Sequence, residues 1–155
     1  MPEIDEVKKE MRKLQDQIKK IMQMTRYQSY DDLSAVEYDH TDPDDLQYID
    51  EYRLALDNLS RIDYRLSYLD RQVSYTDNLI LRPDGRYGTR NDRFYYTSGS
   101  VIEFLYTKEV LNEDGYFGEM PVWTISSVEH NGTDYYIVGY PDVDLDGLKV
   151  RVRNI

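Results

Sequence analysis

Cysteine is absent from the 155-residue chain, which excludes disulfides, thiolate metal sites and cysteine nucleophiles together. The only imidazoles are His40 and His130, too few for a His-rich metal centre and a poor supply for a Ser-His-Asp triad. No run approaches the roughly 18 apolar residues of a membrane helix, and the opening MPEIDEVKKEMRK lacks the apolar core of a secretion signal. The expectation is a soluble cytoplasmic protein of a bacterial cell, with no membrane partner. Cations are scarce: 19 Lys and Arg stand against 30 Asp and Glu, a net charge of −11. Direct nucleic-acid binding is therefore not expected, because binding to phosphates needs a cationic face. No glycine-rich phosphate loop and no H-E-x-x-H occurs. The chain is read as non-catalytic, without cofactor or metal.

What is present is a modest apolar fraction, 40%, and an aromatic set dominated by Tyr, with 16 Tyr against 3 Phe and 1 Trp. From about Glu3 to Met24, Ile4, Val7, Met11, Leu14, Ile18 and Ile21 recur at alternating spacings of three and four, a heptad seam on a helix. A seam that narrow needs a partner helix. Thr41-Asp42-Pro43-Asp44-Asp45 has the chemistry of a helix start, with a capping side chain, an early proline and carboxylates at the positive end of the dipole. From there Leu46, Ile49, Tyr52, Leu56, Leu59, Ile62, Leu66, Leu69 and Val73 continue a helical seam. The predicted arrangement is an antiparallel helical hairpin over residues 1–78 with an acidic connector at 27–52; a homodimeric coiled coil through the heptad helices is the competing arrangement.

Beyond Val73 the period changes to two. Ser100–Thr107, Val122–Glu129, Thr133–Tyr140 and Leu148–Arg153 are strand-like, and Arg93–Thr97 is a shorter fifth. Asn131-Gly132 predicts a tight hairpin, and Pro83-Asp84-Gly85 a turn. The fold class expected is α+β, with the coiled-coil-like hairpin followed at 79–155 by a small five-stranded antiparallel SH3-like barrel. Trp123 and Phe104 are its expected core aromatics. Asp142-Val143-Asp144-Leu145-Asp146-Gly147 imitates the start of a calcium loop, but Arg153 stands where the bidentate Glu belongs, so a turn is expected.

The Ser98-Gly99 turn, Trp123, Ser127-Val128-Glu129, Tyr135-Tyr136-Ile137-Val138-Gly139 and the terminal Leu145-Asp146-Gly147-Leu148-Lys149-Val150-Arg151 resemble family 5348, an uncharacterised domain-of-unknown-function family from mobile elements of Gram-positive bacteria. The resemblance covers the last third of the chain. It implies a fold and a genomic setting and carries no activity. Small acidic proteins from phage and other mobile elements include inhibitors of host defence nucleases, among them anti-CRISPR proteins.

Charge segregation is the most informative feature. Residues 27–52 hold nine acids and no Lys or Arg: Asp31, Asp32, Glu37, Asp39, Asp42, Asp44, Asp45, Asp50 and Glu51. Tyr38, Tyr48 and Tyr52 lie among them. A solvated linker and helix start would account for the acids alone. Read functionally, the stretch imitates a phosphate backbone, as a DNA mimic does, with Tyr supplying contact area. Its partner would be a basic nucleic-acid-binding protein, with a Cas9-type nuclease suggested by the setting. The alternative is a coiled-coil assembly or adaptor module with no inhibitory role.

Overall fold

A computed structural model describes residues 1–28, 33–91 and 93–154. Two helices, α1 (Ile4–Thr25) and α2 (Pro43–Asp70), precede the strands β1 (Val73–Leu81), β2 (Tyr87–Thr89), β3 (Val101–Leu111), β4 (Phe117–His130), β5 (Tyr135–Ile137) and β6 (Lys149–Arg153). The class is α+β, as expected. The chain divides into Met1–Asp70 and Arg71–Ile155, earlier than the expected division after residue 78.

In the helical unit, local chemistry sets the helix ends. The Glu3 N–H donates to Glu6 Oε2 at 3.3 Å, starting α1. At the other end Arg26 adopts a left-handed conformation with φ 50°. Its N–H donates to Gln23 O at 3.2 Å, and the Tyr27 N–H donates to Met22 O at 3.1 Å. This paired closure usually recruits glycine. At α2, Asp42 O accepts the Leu46 N–H at 3.0 Å while Asp42 Oδ1 accepts the Asp44 N–H at 3.0 Å. Pro43 occupies the first helical position, as the Thr41–Asp45 run predicts.

The helices run antiparallel, as expected. Gln15 Nε2 donates to Asp70 Oδ2 at 3.4 Å, and Tyr27, just beyond α1, donates its hydroxyl to Asp57 Oδ1 at 3.4 Å. Tyr27, Leu33, Ile49 and Leu56 form the core, flanked by Met22, Val36, Tyr38 and Leu59. Because α2 ends level with Gln15, it does not extend alongside the first turns of α1. There Ile4, Val7 and Met11 are exposed.

The second unit is one antiparallel sheet in the order β2-β1-β6-β3-β4-β5. The expected five-stranded SH3-like barrel is corrected on both counts, since the sheet has six strands and is not closed. Val73, taken as the last seam residue of the second helix, instead opens β1, pairing with Arg153 of β6. Arg93–Thr97 is not a strand; it meets β2 through the isolated Gly88–Tyr95 bridge and through hydrogen bonds that include those from Tyr96 N to Tyr87 O and from Thr89 N to Phe94 O. The turn at Pro83-Asp84-Gly85 joins β1 to β2, with Gly85 at φ 83°. Asn131-Gly132 closes the β4–β5 hairpin as expected, with Asn131 Oδ1 accepting the N–H groups of Thr133 and Asp134 at 2.9 Å.

One face of the sheet holds the core: Leu79, Tyr87, Tyr96, Ile102, Phe104, Val128, Ile137, Leu145 and Val150. Phe104 is fully buried there, as expected. Trp123 is not. It pairs with Leu105, which alternation places on the opposite face from Phe104, and it is half-buried beneath the Arg151 guanidinium at 4.5 Å. The calcium-like run is a turn, with Asp144 Oδ1 accepting the Asp146 N–H at 2.9 Å and Gly147 at φ 80°.

Candidate protein-interaction surface

The acidic stretch spans the connector and the first turns of α2. Asp31 and Asp32 lie outside the described residues. Among the other carboxylates, three are employed locally. Asp39 Oδ1 accepts from the Thr41 N–H at 2.9 Å and the Thr41 hydroxyl at 2.7 Å. These bonds hold the Asp39 carboxyl below the usual carboxylate range. The Asp39 N–H donates to Asp45 Oδ2 at 2.9 Å, and Asp42 caps α2. Asp50 pairs with Arg53 at 3.2 Å on the helix surface. Glu37, Asp44 and Glu51 are exposed and enter none of these contacts. They are the carboxylates best placed for a partner.

The three Tyr residues differ. Tyr38 is half-buried against the small helical core, its ring 4.1 Å from that of His40. Tyr48 and Tyr52 stand one turn apart on α2, exposed, with ring centroids 5.8 Å apart. Tyr52 also borders an open groove of about 660 Å³, lined by apolar side chains that include Ile21, Met24, Val36, Ala55 and Leu59. Sequence reasoning missed this groove, because it forms where the end of α1, the connector and α2 meet. The resulting surface combines uncompensated carboxylates, two exposed phenols and an apolar recess. Chemically it offers hydrogen-bond acceptors for guanidinium and ammonium groups beside a place for apolar side chains.

The sheet unit contains a charge cluster of another kind. Glu103, 1% exposed, accepts from Arg151 Nε at 2.6 Å, Arg153 Nε at 2.7 Å and Arg153 Nη2 at 3.1 Å. Arg153 Nη1 also donates to Arg71 O at 2.7 Å. Burial alone would raise the Glu103 carboxyl; the hydrogen bonds from Arg153 and Arg151 outweigh it, and the net shift is downward. A lone Glu inside the apolar run Ser100–Thr107, facing alternate arginines in Leu148–Arg153, was a signal available in the sequence. The cluster is saturated by its own members and reads as structural. The far end of the β3–β4 hairpin was also missed; it exposes Leu111, Tyr116, Phe117 and Met120.

Among the described residues no group of three or more His, Cys, Asp or Glu is arranged to hold a metal ion. No described helix is long and apolar enough to cross a membrane. Residues 78–152 match the family described as a domain of unknown function, DUF5348. The match covers most of the sheet, from Asn78 within β1 to Val152 within β6, including every motif of the resemblance, and excludes the acidic connector and both helices. No curated protein and no solved structure matches the chain.

Proposed function

We propose that the protein is a non-catalytic binding protein whose acidic helical unit occupies a basic nucleic-acid-binding surface of another protein. One observation carries the reading. Residues 33–52 present seven carboxylates and no Lys or Arg, beside an exposed Tyr pair and an apolar groove. A surface of this kind steers encounter with a cationic groove through its field. Contact then exchanges phosphate for carboxylate at the partner's Arg and Lys side chains, with Glu37, Asp44 and Glu51 as acceptors and Tyr48 as the planar contact. The local bonds of Asp39, Asp42 and Asp45 hold the backbone that presents them.

The partner class proposed is a defence nuclease of the Cas9 type, whose target-reading arginines and positively charged heteroduplex channel are suited to carboxylates. This choice rests on the mobile-element setting of the resembling family. The experiment is a pull-down of the full chain with guide-loaded Cas9-type nuclease. The expected result is capture that target DNA competes away and that weakens steeply with salt. Capture indifferent to both contradicts the mimicry. A second reading, an assembly module, is favoured by one observation only, the exposed apolar residues along α1.

A further inference from the structure

We propose that Asn131-Gly132 is a self-modifying site, at which the folded hairpin converts the Asn131 amide through a cyclic succinimide to aspartate and isoaspartate. The proposal does not rest on the basic-partner reading. Asn131-Gly132 lies between β4 and β5, and the Asn131 N–H closes the turn by donating to Asp134 O at 3.1 Å. Three further bonds in the same turn fall on the atoms that react when an asparagine cyclises.

The nucleophile is the Gly132 nitrogen, and its N–H donates to His130 Nδ1 at 3.1 Å. That bond requires the neutral imidazole with its proton on Nε2. The ring is steadied by an edge contact with Tyr135, 4.6 Å between centroids. The electrophile is Asn131 Cγ. Its carbonyl oxygen Oδ1 accepts from the Thr133 and Asp134 N–H groups, each at 2.9 Å. A donor pair so placed becomes an oxyanion hole once the carbon is attacked. Residues 130–134 are exposed, and an added Cβ on Gly132 would meet nothing within 4 Å. Water can therefore reach the reacting atoms.

The steps balance with water as the only added reactant. As the Gly132 nitrogen bonds to Asn131 Cγ, its proton passes to His130 Nδ1 and negative charge collects on Oδ1 beneath the two N–H groups. The Cγ–Nδ2 bond then breaks, the imidazolium returns the proton to the departing nitrogen, and ammonia leaves. Water opens the succinimide at either carbonyl. Opening at Cγ restores the main chain with an aspartate; opening at the backbone carbonyl gives isoaspartate, whose main chain runs through the side chain. Either product adds a carboxylate. The isoaspartate also inserts a methylene into a turn whose second strand is paired only at Ile137, Tyr136 and Tyr135, so it should loosen β5 at the sheet edge.

The test is timed incubation of the full chain in neutral buffer, native and in guanidinium chloride. Conversion is followed by peptide mapping with mass spectrometry, and isoaspartate by methyltransferase labelling. A turn that only contains Asn-Gly slows cyclisation, because it restricts the approach of the nitrogen to Cγ. The expected result is the reverse, conversion at least about tenfold faster in the native chain, since a placed general base contributes about 10²–10⁴-fold and rigidity takes part of it back. His130→Gln keeps an acceptor for the Gly132 N–H but takes no proton. It should remove the native advantage and leave the denatured rate unchanged, with Trp123 fluorescence confirming the fold. A native rate at or below the denatured rate overturns the proposal without reference to any variant. A native rate unmoved by His130→Gln overturns it as well, by removing the base. A failed nuclease pull-down leaves these outcomes unchanged.

Discussion

The sheet unit gathers nine buried hydrophobic residues into one described cluster, whereas the helical unit gathers four. The contrast extends to the surfaces. Beyond the core face, the sheet unit encloses a carboxylate with two guanidiniums, so its buried charges are answered internally. The helical unit leaves apolar residues exposed along α1, leaves a groove open, and carries carboxylates with no local cation. Satisfied groups stabilise a fold, while unsatisfied ones are available to something else. On the function proposed above, binding would fall to residues 1–70 and the sheet unit would serve as its scaffold. The family match, confined to 78–152, falls on the self-sufficient part.

The largest expected effect breaks the self-sufficiency of the sheet. Glu103→Ala strands two guanidiniums, one of them almost wholly buried. It should cost about 3–5 kcal/mol, read in urea by fluorescence of the sole tryptophan, Trp123. The same group gives a pH dependence. Its carboxyl is depressed in the folded state, so its contribution is full above the unfolded carboxylate range, about 4.3. That contribution is lost as pH falls through the folded value. Urea midpoints should drop on acidification, and Glu103→Gln should flatten that drop.

Next in size is Leu56→Ala in the small helical core, about 2–4 kcal/mol, measured by helical circular dichroism. If the units differ in self-sufficiency, the helical signal should melt at lower denaturant than Trp123 fluorescence in the unmodified protein. A single coincident transition would remove the contrast. A smaller effect is expected at Gly88, where an added Cβ would meet Phe94 O at 2.9 Å and Arg82 Cδ at 3.0 Å. Gly88→Ala should cost about 1–3 kcal/mol in the fluorescence transition and leave the helical signal's midpoint unchanged.

The two helices were legible because their apolar residues recur at three and four and the second begins with capping chemistry. Four strands were legible from alternation, and one hairpin from Asn131-Gly132. β1 escaped because Val73 follows Leu69 by four, so the helical phase runs on past the true end at Asp70. β2 spans only three residues, too short for any period. Trp123 was misplaced because alternation gives the face of a strand's residues relative to one another, and here β4 turns its Trp away from Phe104. The acidic stretch was plain in the sequence. The division of labour within it was not, since the bonds to Thr41, Asp39 and Asp44 that employ Asp39, Asp45 and Asp42 depend on the turn that brings them together.

The account is tested most directly by titrating the full chain against guide-loaded Cas9-type nuclease, comparing wild type with Glu37→Gln, Asp44→Asn and Glu51→Gln combined. These changes keep shape and remove charge at three exposed positions, and they spare the capping carboxylates. Each charge-assisted contact is worth about 1.5–3 kcal/mol, so the variant should bind at least about three decades more weakly. Its helical circular dichroism should match wild type. A folded variant that binds with unchanged affinity would contradict the assignment of binding to the acidic helical unit.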